Sequence, residues 1–229
     1  MARSLRIFIA LFLLVTLAPA GAAGLDSISA EESGGALRQA LSQGAVAAVS
    51  SLGRTDGFLG NPKVKILLPE NLQKAEKLMR KLGMGKYADE LILSMNRAAE
   101  AAVPEAKELL LNAVKQMTLQ DAKGILTGGD DSVTQYFKRT TSEPLTEKFL
   151  PIVRQATEQV DLAQKYNRYA KQGAKLGLID KKDASLEGYV TQKALDGLFL
   201  MIAEEERAIR QNPLGQASSL LQKVFGALK

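Results

Sequence analysis

Apolar residues recur every three or four positions along nearly the whole chain, which is the spacing of one face of an α-helix. This pattern predicts an all-α fold, a single-domain bundle of roughly eight to ten helices. The stripe from Leu186 to Ile202 is apolar over more than half of the helix circumference, which is typical of a helix at the centre of a bundle. A last amphipathic stripe runs from Leu214 to Leu228.

Glycines interrupt the pattern between Gly53 and Pro62, and the string Gly57-Phe58-Leu59-Gly60 predicts an aromatic side chain exposed in a loop. A short apolar run follows at residues 64–68. Periodicity cannot decide over so few residues, so an extended segment and a small strand both stay open there.

Local signals mark several helix ends. Gly83 is expected to end a helix that begins at Pro69 or Glu70, because glycine accepts a left-handed conformation without strain. Thr118 with Asp121 three positions later has the spacing of a capping box, which opens a short helix.

The string Gly128-Gly129 separates two helices, and Asp130 or Asp131 is expected to cap the second of them. A further helix is predicted to open at residues 142–144, with a bend or break at Pro151, because proline lacks the N–H that a helix interior needs.

The first residues read as an export signal. Arg3 and Arg6 precede an apolar stretch over residues 7–18, and small residues follow, with cleavage expected after residue 20, 22 or 23. The apolar stretch is shorter than the roughly 20 residues that span a bilayer, which disfavours the alternative of an uncleaved anchor. The predicted organisation is a signal peptide at 1–23, a flexible mature N-terminus at 24–34 and one helical domain at 35–229. We expect a soluble periplasmic protein.

The chain contains no histidine and no cysteine. These absences exclude Ser-His-Asp and Cys-His nucleophile pairs. They also exclude the usual zinc, copper and haem ligand sets, and a lipid-modified N-terminal thiol. We therefore expect no cofactor, no metal site, no disulfide and no lipoprotein anchor.

The net charge is +5, and it falls to 5 − 2 = +3 when Arg3 and Arg6 are removed with the signal. This excess is mild and does not indicate nucleic acid. A basic run from Lys165 to Lys182 contains Tyr166 and Tyr169, which suits either a weak contact with an anionic membrane surface or a solvated helix face with inward tyrosines. The solvated face is the favoured interpretation. A second basic stretch lies at residues 74–86.

Catalysis by paired carboxylates stays open, because it needs no histidine. Asp130-Asp131 and the glutamates at 204–206 are the candidates, although helix capping and a charged helix face explain both groups. Arg97 and Glu100 share a helix face near Asn96. That face is either a buried polar cluster or an exposed row of ion pairs, and the exposed row is the favoured interpretation.

Three strings together carry a resemblance: MTLQDAKGIL, GGDD followed by Thr134 and Tyr136-Phe137, and KALDGLFLMIAEEE. From about residue 35 to residue 213 the chain resembles the bacterial domain-of-unknown-function family numbered 4197. The resemblance implies an exported, mostly periplasmic helical protein with no established activity. It supplies no catalytic residues.

These observations favour a non-enzymatic envelope protein that binds a protein partner or an apolar ligand, since helix bundles can open a groove or cavity. The alternative is a carboxylate-dependent hydrolase acting on an envelope polymer. Any binding site is expected among the polar residues of the most distinctive segment: Asn96, Arg97, Glu100, Asp130, Asp131, Thr134 and Tyr136.

Overall fold

The computed structural model describes residues 30–175 and 185–211. These ranges are mostly α-helical and contain no strand, which confirms the all-α class. A 3-10 turn at Val103–Glu105 connects the third helix to the fourth. In chain order the helices are α1 (Ala30–Leu52), α2 (Glu70–Lys81), α3 (Gly85–Ala102), α4 (Ala106–Gln116), α5 (Leu119–Thr127), α6 (Ser132–Thr157), α7 (Asp161–Lys175) and α8 (Leu186–Gln211).

Some predictions fall outside the described ranges and stay predictions. These are the signal peptide at 1–23, the stripe from Leu214 to Leu228 and the end of the basic run at 181–182. Helix α1 begins at Ala30, before the domain boundary predicted at residue 35.

Two predicted helix ends are confirmed in atomic detail. The Thr118 hydroxyl accepts the backbone N–H of Asp121 at 3.1 Å, and the Asp121 carboxylate accepts the N–H of Thr118 at 3.2 Å. The hydroxyl and N–H of Thr118 hold the pKa of Asp121 below its ordinary value. Gly83 has a φ of 77°, and the N–H of Met84 returns to the carbonyl of Met79 at 2.8 Å. This Schellman arrangement ends α2.

The described ranges hold eight α-helices, at the lower end of the predicted eight to ten, and the predicted division of the chain was slightly off. Two segments that were predicted as separate helices form a single helix, α6, which continues through Pro144 and Pro151. Hydroxyl groups on both sides of Pro144 donate to the carbonyl one turn earlier, which adds hydrogen bonds in the turns that flank the proline. The donors are Thr140, Thr141, Ser142 and Thr146.

Helix α8 lies at the centre of the bundle, as its wide apolar arc predicts. It packs against α6, α1 and α3, while α6 also packs against α3. Its side chains at Val190, Ala194, Leu198 and Ile202 are buried, so the core around it is largely aliphatic.

The segment from Gly53 to Leu68, called here the 53–68 loop, enters the core and lies partly beneath the surface. Phe58 is fully buried, so the prediction of an exposed aromatic was wrong, and Val64 and Ile66 are buried beside it. A Cβ atom at Gly197 of α8 would lie 2.7 Å from the Phe58 ring. The glycine therefore leaves the space in which the ring sits.

Thr191 on α8 offers a stabilising substitution. Among the described residues, its buried hydroxyl oxygen has no hydrogen-bond partner. Thr191→Val keeps the shape and removes the unsatisfied group, so we expect the free energy of unfolding to rise by about 1 kcal/mol. Denaturant titration measures this change, with Thr141→Val as the control. The Thr141 hydroxyl donates to the Phe137 carbonyl at 2.7 Å, so its loss should not stabilise the protein.

Candidate functional site

Asn96 of α3 is fully buried and holds the 53–68 loop. Its side-chain oxygen accepts the N–H of Ile66 at 2.9 Å, and its side-chain nitrogen donates to the carbonyl of Ile66 at 2.8 Å. The same nitrogen also donates to the carbonyl of Ile92 at 2.7 Å. The side-chain amide of Asn96 thus bonds to both the N–H and the carbonyl of Ile66, as the backbone of a neighbouring β-strand would. The backbone of Ile66 is therefore satisfied without a strand beside it.

Glu100 lies one turn further along α3 and holds a second part of the loop, at Phe58 and Leu59. One carboxylate oxygen accepts the N–H groups of Phe58 and Leu59, at 3.0 and 3.1 Å. The second oxygen pairs with Arg97, whose guanidinium also reaches Asp56 at 2.8 Å. Glu100 is buried, so the favoured interpretation of an exposed ion-pair row was wrong for this position. The reason is that the loop folds over α3 and covers it.

Thr134 belongs to a second network, at the start of α6. The carboxylate of Glu206 on α8 accepts the N–H of Val133 at 3.0 Å and both the N–H and the hydroxyl of Thr134, at 3.1 and 3.0 Å. Arg210 donates to the same carboxylate and to the carbonyl of Ile125. A distant glutamate therefore caps α6, and its negative charge suits the positive end of the helix dipole.

Asp130 and Asp131 are exposed between α5 and α6. Asp131 stands at the N-cap position, but its side chain makes no capping hydrogen bond to the backbone, so that prediction was wrong. It instead accepts the side-chain amide of Gln135 at 3.1 Å.

Tyr136 is buried, and its hydroxyl donates to the carbonyl of Ala113 at 2.7 Å. Burial is the main cause that raises the pKa of this phenol, and the nearby charge of Asp121 adds to the effect. The hydroxyl joins α6 to α4 and belongs to neither of the two carboxylate networks.

The predicted site residues thus divide among different parts of the bundle. Asn96, Arg97 and Glu100 come together under the 53–68 loop. Thr134 lies at the Glu206 network, Tyr136 between α6 and α4, and the two aspartates in the solvent-exposed turn.

Glu206 and Glu187 are buried acids outside the predicted binding site, and the sequence singled out Glu206 only as part of the run of glutamates at 204–206. The Glu187 carboxylate accepts the side-chain amide of Asn167 at 2.6 Å, which links α8 to α7. A signal for Glu206 was present in the sequence, because it lies four residues after Ile202 and so continues the buried stripe of α8. An acid in register with an apolar stripe requires a partner in the core.

A small cavity of about 20 Å³ lies between α1, α6 and α8. Apolar side chains form most of its wall, and Glu205, Glu206 and Arg210 contribute the polar part. Its size admits about one water-sized group. The apolar residues that line it are Leu37, Ala40, Leu41, Ala45, Val133, Phe137, Ile202 and Ile209, with Gly44.

On α7, Tyr166 is buried while Lys165 and Arg168 are exposed, which agrees with a solvated basic face and an inward tyrosine at this point of the run. Among the described residues, no group of three acidic side chains is placed to hold a metal ion. Within the same ranges, none of the helices combines the length and the apolar content that crossing a bilayer requires.

Comparison with known proteins identifies the family. Residues 27–226 match the family described as Protein of unknown function (DUF4197). The chain belongs to this family. The resemblance of its three strings is thereby confirmed, and DUF4197 membership extends over α1 to α8. Neither the curated proteins nor the solved structures include a match to the chain.

Proposed function

We propose that this DUF4197 protein is exported to the periplasm and acts there as a non-enzymatic binding protein for a protein partner. The observation that carries the proposal is the use of its buried acids. Glu100, Glu187 and Glu206 each accept hydrogen bonds from the protein's own backbone or side chains.

A carboxylate hydrolase needs acids that reach the substrate, one as proton donor and one as nucleophile or base. Glu100 is committed to the 53–68 loop and Glu206 to the start of α6. Moving either acid toward a substrate would leave buried N–H groups without acceptors, which is costly. This favours binding over the hydrolase alternative.

The cavity between α1, α6 and α8 supports a protein partner over a large apolar ligand. A volume of about 20 Å³ accepts the tip of one apolar side chain, whereas a lipid chain would require the helices to separate. Glu205 at the cavity can pair with a polar group of the same partner.

Gly44 of α1 offers a direct test, because it lines the cavity and its added Cβ would meet Glu205 Cβ at an ordinary 3.6 Å. Gly44→Ala places one methyl group toward the cavity without a clash. We expect partner affinity to fall about fourfold, the equivalent of one buried methylene. The free energy of unfolding should rise by about 0.5–1 kcal/mol, because alanine favours the helix.

The partner is first sought by native mass spectrometry of mature protein taken from its own envelope fraction, compared with the denatured sample.

Gly35→Ala is the matched control for Gly44→Ala, since an added Cβ at Gly35 meets nothing within 4 Å. Equal affinity of the two variants would contradict binding at the cavity. A retained small molecule would instead support the apolar ligand, and polymer cleavage that Glu205→Gln abolishes would support the hydrolase.

A further inference from the structure

The connection between α2 and α3 presents an apolar and basic surface that the core does not use. We call the residues from Lys77 to Tyr87 the α2–α3 tip. Leu78 and Leu82 are 58% and 66% exposed, and Met84 and Tyr87 are each 44% exposed. These four side chains fall within ten residues of the sequence around the α2–α3 connection. Exposed apolar side chains need no special explanation when they occur singly, but a group of them does.

The tip stands out from the bundle. Helix α2 packs mainly on α3, and none of its described side chains is fully buried. The turn itself is well defined, because Gly83 takes the left-handed conformation and Met84 closes the hydrogen bond to Met79. Leu82 and Met84 flank that glycine, so they sit at the apex.

The charge of the tip has one sign. Between Lys77 and Tyr87 the sequence carries basic residues and no acidic one. Arg80 pairs with two acids that flank the tip, Glu76 on its own helix and Asp89 on α3, and a third flanking acid, Glu90, is exposed.

Within the described part of the chain, Lys77 and Lys81 are exposed and make no ion pair. The Lys86 ammonium lies 5.1 Å from the centre of the Tyr87 ring. The positive charge of these lysines is therefore open to an external anion.

We propose that the α2–α3 tip binds the surface of an anionic phospholipid bilayer. Leu78, Leu82 and Met84 enter the boundary between headgroups and acyl chains, and Tyr87 lies at headgroup level, where aromatic rings with a polar end are favoured. Lys77, Lys81 and Lys86 pair with lipid phosphates, while their aliphatic stems lie along the leucines.

The shape of the tip favours a bilayer over a protein as the occupant. A projecting turn with four apolar side chains and basic flanks fits a soft, flat, anionic surface, whereas a protein partner would have to offer a concave acidic pocket. The inference goes beyond the proposed function, since it holds for a different surface from the cavity between α1, α6 and α8.

Vesicle sedimentation of the full mature protein tests the inference. The protein is mixed with vesicles of phosphatidylglycerol and phosphatidylethanolamine, and separately with vesicles of phosphatidylcholine alone. We expect binding to the anionic vesicles only, and a marked loss of binding when the salt concentration is raised about tenfold. Each single change among Lys77→Gln, Lys81→Gln and Lys86→Gln should weaken binding about fivefold at low salt.

The double variant Leu78→Ser with Leu82→Ser should abolish vesicle binding at low salt. Its matched control is Leu119→Ser with Leu200→Ser, two leucines that are 63% and 41% exposed outside the tip. All four positions are exposed, so the melting temperature should change little, which separates loss of binding from loss of fold. Equal vesicle binding by the two double variants would overturn the proposal.

A spectroscopic readout locates the contact. The chain has no cysteine, so Leu82→Cys or Gln120→Cys carries the only thiol that a polarity-sensitive fluorophore can label. The label at position 82 should shift to shorter wavelength with anionic vesicles, and the label at position 120 should not. Absence of a shift at 82, or capture of a protein through the tip without vesicle binding, would overturn the bilayer assignment.

Discussion

Replacing Glu206 with alanine is expected to lower the free energy of unfolding by about 3–5 kcal/mol, the usual cost of breaking a buried charged pair. Glu206→Ala removes the acceptor for the N–H groups of Val133 and Thr134 at the start of α6. It also leaves the guanidinium of Arg210, whose side chain is only 14% exposed, without its carboxylate. Denaturant titration followed by circular dichroism measures the loss.

Glu204→Ala is the control, because Glu204 makes an ion pair with Lys63 at the surface and should contribute less than about 1 kcal/mol. Glu206→Gln keeps an acceptor oxygen but loses the charge, so its stability should lie between those of the wild type and Glu206→Ala. If the two alanine variants are equally stable, the capping role of Glu206 is refuted.

Asn96→Ala is expected to destabilise the protein by about 3 kcal/mol, since each buried polar group that loses its partner costs about 1–3 kcal/mol. The substitution leaves the N–H and the carbonyl of Ile66 without partners inside the core. Local unfolding should follow, so the amide of Ile66 should exchange with solvent faster while amides in α8 change less. Hydrogen exchange measured by NMR gives the exchange rates of the Ile66 amide and of the α8 amides.

Asn112→Ala is the matched control, because Asn112 lies on the exposed face of α4. A surface change of this kind should stay within about 0.5 kcal/mol. If the Ile66 amide of Asn96→Ala is still protected from hydrogen exchange, the Asn96 side chain does not hold the loop. Asn96 would then be available again as a binding residue.

Features that depend on neighbours in sequence were predictable. The capping box at Thr118 and the left-handed Gly83 follow from residue types at fixed spacing, and both are present. The central position of α8 follows from its wide apolar arc.

Features that depend on residues distant in sequence were not predictable in the same way. Asp131 has the right residue type for a cap, but Glu206 reaches the start of α6 from α8 and takes that role. The local sequence predicted that Phe58 is exposed in a loop. It could not show that Gly197, far along the chain, leaves the space in which the Phe58 ring is buried. Neither relation leaves a pattern in a short window of sequence.

The candidate site shows the same division. The sequence indicated that Arg97 and Glu100 share one face of α3 near Asn96, and the structure brings the three residues together under the loop. The sequence could not show that the 53–68 loop covers this face and uses its polar groups. Tyr136 and Thr134 were grouped with them by position in the chain, whereas their partners lie on α4 and α8.

The contacts of α8 also set an order in which the chain can assemble. Gly197 receives the Phe58 ring, Tyr189 donates to the carbonyl of Leu67 at 3.0 Å, and Glu206 closes the start of α6. A growing chain that ends before Leu186 therefore lacks every one of these closures. Contacts so far apart in sequence form slowly. The N-terminal part therefore lacks these closures until α8 has been synthesised, a state that would suit the export proposed above.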